Sequence, residues 1–289
     1  MSTSTASSTA TTGTVPGAAR PHPATDGERA PGFRAVLVSE WLKFATLRSS
    51  WITLGSATAV MVLIGVIAAA AVGGDTQAPG GPTFDASDPM GTVLTGANFA
   101  VLILGVLGAL SGSREYGSRM IATSFIATPR RGRVIVAKAL VLVAVVVPAG
   151  LVGSVGAFLA GNAVLDAAGE PSLGLGDAGV VGDLVGMAGW FTAVTLIGLG
   201  LGLLLRSVAA SVGTLIGGVL IAPPIVGALL PDGADRALQV LPSNAAAALT
   251  VVQATGDVTI GAATGAAILV GWVALVLGTA ARAVLVRDV

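Results

Sequence analysis

Apolar residues fall into six long runs along this chain, and the intervals between the runs collect almost all of its charge. The runs are Ile52–Val72, Val93–Gly112, Ile135–Ala160, Leu184–Leu205, Ser211–Leu230 and Ile260–Ala281. Each approaches or exceeds the ~20 residues that a helix needs to cross the hydrocarbon of a bilayer. No charged residue interrupts the first or the second run. Lys138 sits one turn inside the third, where its long stem is expected to snorkel to the headgroups. The pattern predicts an all-α polytopic membrane protein with six transmembrane helices.

Ahead of the first run, Phe33, Val36, Leu37, Trp41, Phe44, Leu47 and Trp51 recur at helical spacing. Arg34 and Lys43 fall outside that stripe, which predicts an amphipathic helix lying on the membrane surface. Glu40 and Arg48 break the pattern by falling inside the apolar sector. Either this is a surface helix anchored by tryptophan, or Glu40 faces another protein. Residues 1–31 are rich in Ser, Thr, Ala and Pro, and lack the basic start and apolar core of a secretory signal. They are expected to form a disordered tail, leaving residues 32–289 as the membrane domain.

Composition agrees with this division. Mean hydropathy is +0.89 and only 10% of residues are charged, against roughly 25% in soluble domains. Formal net charge is zero, so nothing in the total points to nucleic acid. The placement of charge is more telling. Of the 15 lysines and arginines, all but Arg236 fall on one side of a six-span threading. The opposite intervals, 73–92, 161–183 and 231–259, hold acidic residues such as Asp88, Glu170, Asp177 and Asp235. Basic loops stay in the cytoplasm. Both termini and the loop 113–134 are therefore expected inside, in a multi-pass protein of the cytoplasmic membrane.

That loop is the longest basic stretch. Met120, Ile121 and Phe125 could share one helix face, with Pro129 ending the helix. It is either a short amphipathic helix that inserts apolar side chains into a soluble partner, or a loop that merely obeys the charge rule. On the other side, 235–252 could form a helix interrupted at Pro242, with 244–252 apolar enough to dip back into the bilayer. Pro148 and the pair Pro223–Pro224 should bend or break the third and fifth helices. The spacings Gly198–Gly202 and Gly261–Gly265 permit close helix packing.

Much chemistry is excluded. There are no cysteines and one histidine, His22, in the tail, which removes thiolate metal sites, Cys nucleophiles and most imidazole schemes. A phosphate-binding P-loop needs lysine directly after glycine. The only lysines, Lys43 and Lys138, follow Leu42 and Ala137. No enzyme activity, cofactor or metal is expected in the chain. Ion-coupled transporters place ionisable groups deep in the membrane, yet here Asn98 is the main polar residue expected within a span and the one weak candidate for a substrate path. Energy for any transport would come from a separate subunit.

Two stretches carry a family resemblance. Ser39-Glu40-Trp41-Leu42-Lys43, followed by Leu47-Arg48-Ser49-Ser50-Trp51, resembles the amphipathic N-terminal segment of ABC transporter permeases of the type-2 exporter class. Arg114-Glu115-Tyr116-Gly117, followed by Ala127-Thr128-Pro129-Arg130-Arg131-Gly132-Arg133 and Ala137-Lys138, looks like their first cytoplasmic loop. Leu241-Pro242-Ser243-Asn244-Ala245 resembles a segment before their last span. The resemblance implies a six-helix subunit that pairs with a second permease, as a homo- or heterodimer, on two ATP-binding cassette subunits. ATP and Mg would sit on those partners. It also implies a coupling helix over 115–128 and a role for the N-terminal helix. On that basis Glu40, Glu115, Arg119, Met120, Phe125, Arg130 and Arg131 are the candidate coupling residues. Glu115 would pair with a basic residue at the subunit interface; a surface pair with Arg119 at i+4 would contribute only about 0.3–0.5 kcal/mol.

The leading expectation is thus the membrane subunit of an ATP-driven exporter. A self-sufficient channel or ion-coupled transporter, and a membrane scaffold or immunity factor, are the alternatives. The apolar spans suit a lipophilic drug or lipid better than a sugar.

Overall fold

The computed structural model describes residues 32–72, 87–117, 131–229, 238–251 and 260–286, with the side chains of 114–117, 131, 220 and 224 left aside. Every regular element among these residues is helical. Four helices are long and apolar enough to cross a membrane, which makes this a multi-pass membrane protein.

Helix α1 (Phe33–Thr46) ends where Leu47 adopts an extended conformation. That single residue separates it from α2 (Arg48–Val72), whose 25 residues reach ~37 Å at ~1.5 Å per residue. Two contacts brace the joint. The Trp51 indole Nε1 donates to the Ala45 carbonyl at 3.1 Å, and the Trp51 and Phe44 rings meet edge to face at 5.7 Å.

The second apolar run differs from expectation at its start. Val93 closes a separate short helix, α3 (Pro89–Val93), instead of opening the span. The Asp88 side chain caps α3 by accepting from the Gly91 N–H at 2.9 Å, and Pro89 stands at its first turn, where a missing N–H is harmless. A turn over 94–96 follows, and α4 (Ala97–Gly117) begins after it. The turn packs so tightly on α2 that a Cβ on Gly96 would collide with the Met61 backbone.

Helix α5 (Arg131–Ala168) holds 38 residues, ~57 Å of helix, well beyond the ~30 Å hydrocarbon core. It continues through Pro148 without a break. Helix α6 (Val180–Leu205) is the centre of the bundle, with buried residues on every face. It packs against α4, α5 and α10 (Ala262–Val286). Its contact with α4 is the most extensive among the described helices. The reason is absence of side chain: a Cβ on Gly108 would strike the Thr195 carbonyl, and one on Gly202 would lie 2.5 Å from the Ala109 carbonyl. The Gly198–Gly202 spacing thus serves helix packing. Of the other pair, Gly265 meets the Ala245 carbonyl, whereas Gly261 faces open space.

The fifth run is not one α-helix. After Arg206 ends α6 in the left-handed conformation (φ 54°), α7 (Val208–Leu215) leads into a π-helical turn, Ile216–Ile221, and then α8 (Ala222–Leu229). The expected disturbance at Pro223–Pro224 falls just before the prolines. A proline ring clashes with the carbonyl four residues back, and the wider π turn, with its i→i+5 bonds, relieves that crowding. Pro242 likewise opens a helix, α9 (Pro242–Ala247), where an interruption was expected. Ser243 to Ala246 of α9 are buried, packed against α10, α6 and the π turn. The segment therefore folds back into the bundle. Trp272 of α10 holds its approach by donating to the Val240 carbonyl at 2.8 Å.

Candidate functional site

Helix α1 meets the rest of the protein through Val36, Glu40 and Phe44, one stripe at i, i+4, i+8. Val36 forms a small apolar cluster with Val134 and Ala137 at the start of α5. Phe44 joins the main core. Between them lies a carboxylate. The Glu40 side chain is 3% exposed, with Oε2 2.6 Å from Lys138 Nζ and Oε1 2.6 Å from Lys43 Nζ.

The two arms of this clamp are unequal. Lys43 is on the same helix, three residues on, with a side chain 41% exposed; with its ammonium reaching water, its arm is the weaker one, near the ~0–1 kcal/mol of solvent-exposed pairs. Lys138 comes from α5 and is 12% exposed, so its bond to Glu40 joins a buried carboxylate to a partly buried ammonium across an inter-helix contact. Removing one member of such a pair costs about 3–5 kcal/mol, because the other charge stays behind in a low-dielectric site.

One expectation is corrected here and another gains a partner. The Lys138 ammonium reaches a carboxylate of α1, which offers it a charge-assisted bond. Glu40 does not face outward to another protein, because the α1 stripe that carries it is the buried one.

Beside the clamp opens a cavity of ≈ 520 Å³, walled by α1, α2, α4 and α5. Phe44, Leu107, Leu110, Val141 and Leu142 give it apolar walls, while Glu40, Lys43 and Lys138 stand with Ser49, Ser50, Thr53 and Ser111 as its polar groups. A second hollow, ≈ 850 Å³, runs along α2 and α5 from Trp51 to Val66 and is almost wholly apolar.

The remaining sequence candidates are distributed as follows. Glu115 lies in the last turn of α4 and Arg131 is the first residue of α5, their side chains outside the described set. Arg119, Met120, Phe125 and Arg130 lie outside the described residues. The loop between α4 and α5 therefore opens directly into the helix that carries Lys138. Asn98 is not deep in a span: it sits in the first turn of α4, exposed, with Nδ2 donating to the Thr95 carbonyl at 3.3 Å. Asn162 is the buried amide that sequence reading overlooked. It donates to the Phe158 carbonyl at 3.0 Å and accepts from the Leu173 N–H at 2.8 Å, tying the segment after α5 to that helix. Among the described residues no group of His, Asp or Glu could hold a metal ion.

The Glu40–Lys138 bond escaped the sequence reading as well, although both members were conspicuous. One was a carboxylate in an apolar stripe and the other an ammonium inside a span. Compared with known proteins, the chain matches no protein-family model and no curated protein.

Proposed function

We propose that this chain is the membrane subunit of an ATP-driven exporter. In this reading it crosses the cytoplasmic membrane six times with both termini inside, pairs with a second permease subunit and docks two ATP-binding cassette subunits at the loop between α4 and α5. The observation that carries the reading is the Glu40–Lys138 bond. It ties the surface helix α1 to the helix that leaves the loop, so a displacement of the loop reaches α1 and, through the braced Leu47 joint, α2.

The remaining support lies in the sequence: the motifs around Glu40 and Glu115, the one-sided cations, and lysines that cannot form a P-loop. In this reading α4 and the pair α7–α8, both shorter, would add two crossings to those of the four long helices. The substrate is a lipophilic molecule, in keeping with walls that are mainly apolar.

The test is purification of the tagged chain from its native membranes in mild detergent. Co-elution of an ATPase, with its stimulated activity abolished by Glu115→Lys while membrane insertion is kept, supports the reading. A chain that purifies alone and supports flux in liposomes overturns it.

A further inference from the structure

The cavity beside the clamp combines apolar walls with a group of charged and hydroxyl side chains. Its ≈ 520 Å³ lies within the ~300–1,000 Å³ range of small-molecule sites. The walls supplied by Leu107 and Leu110 of α4 and Val141 and Leu142 of α5 are apolar. The polar groups come from all four walls, with Glu40, Lys43 and Thr46 on α1, Ser49, Ser50 and Thr53 on α2, Ser111 on α4 and Lys138 on α5.

What those groups offer is specific. The Thr53 hydroxyl donates to the Ser49 carbonyl at 2.8 Å and the Ser111 hydroxyl to the Leu107 carbonyl at 2.8 Å. With each O–H turned to its own helix, the oxygens present lone pairs to the cavity, which suit hydroxyl donors on a ligand. Lys43, paired with Glu40 at 2.6 Å and with its side chain 41% exposed, stands with Lys138 in a cluster of two ammoniums and one carboxylate, whose net positive charge suits a phosphate. A flexible apolar tail with a phosphate-bearing, hydroxylated head matches these walls and groups.

We infer that this cavity binds one acyl-chain amphiphile, tail between α4 and α5 and phosphoglycerol-type head at Lys43, Thr53 and Ser111. The inference goes beyond the exporter reading and does not depend on it. The ligand is either a resident membrane lipid or a transient cargo of the same chemistry.

The full chain, purified in mild detergent and washed free of lipid, is titrated with oleoyl lysophosphatidylglycerol and followed by native mass spectrometry. Saturation at one molecule per chain is expected. Ser111→Phe fills the cavity while leaving all three charged residues in place and should weaken binding at least tenfold; Val141→Trp does the same from α5 if the first variant fails to fold. Lys43→Gln should weaken binding at least threefold. Monoolein, with the same tail and no phosphate, should bind at least threefold more weakly than the probe. A lipid adduct retained before washing marks a resident ligand, and a bare chain that binds only added probe marks a transient one; both support the site. Unchanged affinity in a folded filling variant, equal binding of monoolein, or uptake without saturation overturns it.

Discussion

Glu40→Gln is the perturbation that weighs most on this account. The substitution keeps the shape of the side chain and removes its charge, leaving the Lys138 ammonium, 12% exposed, beside a neutral amide. Breaking a buried pair from one side costs about 3–5 kcal/mol. Glutamine retains one acceptor, which puts the expectation at the lower end, about 3 kcal/mol, or roughly a hundredfold in an equilibrium constant. The loss should appear as opening of α1, because Glu40 is the charged contact of that helix with α5, whereas α4 and α6 hold each other by close backbone packing. Hydrogen exchange reads such local opening directly. In Glu40→Gln the amides of 36–46 should exchange roughly a hundredfold faster, while those of α6 stay as in the wild type. Lys43→Gln should change them by no more than about threefold, since Lys43 is 41% exposed and Glu40 keeps its bond to Lys138. Adding Lys138→Met to Glu40→Gln removes the stranded ammonium and should restore much of the protection. Exchange in Glu40→Gln within threefold of wild type would refute the argument, for the clamp would then not be what holds α1.

Three further outcomes follow from other parts of the structure. Gly108→Val drives side-chain atoms into the Thr195 carbonyl and should destabilise the bundle by about 1–3 kcal/mol or more in detergent-induced unfolding; Gly189→Ala, with nothing within 4 Å of its Cβ, should be neutral or stabilising by up to about 1 kcal/mol. Asn162→Ala orphans the Leu173 N–H and should cost about 1–3 kcal/mol, seen as faster proteolysis within residues 169–179. The chain has no cysteine, so single-cysteine variants report without background. Phe125→Cys should react with an impermeant thiol reagent only from the cytoplasmic side, and Asp177→Cys only from outside.

How much of this was legible beforehand depends on which forces decide each feature. The long helices were, because an uncharged run of ~20 residues has few other ways to satisfy its backbone in hydrocarbon. Their edges were less so: Asp88 and Pro89 cap a separate short helix that takes Val93, a local bond outweighing an unbroken apolar pattern. The prolines of the fifth run gave warning of a disturbance, but a π turn placed upstream of them is a packing solution that residue spacing does not reveal. α9 owes its burial to small side chains, Ala245 and Ala246, that let α10 approach.

At the candidate site, two anomalies of the sequence turn out to be one structural fact. Glu40 in an apolar stripe and Lys138 inside an apolar run are each costly alone, and 98 residues apart they satisfy each other. Spacing rules work within a helix and cannot connect two helices, so the pairing and the cavity beside it became visible only once α1 was set against α5.

The most direct test of the central claim is to isolate the full chain from its native membranes in mild detergent and assay the eluate for ATP hydrolysis. The account predicts that a cassette ATPase elutes with it in fixed ratio and loses its stimulated activity when Glu115 is replaced by lysine. A chain that elutes without any ATPase, and alone sustains flux in liposomes under an ion gradient, would contradict it.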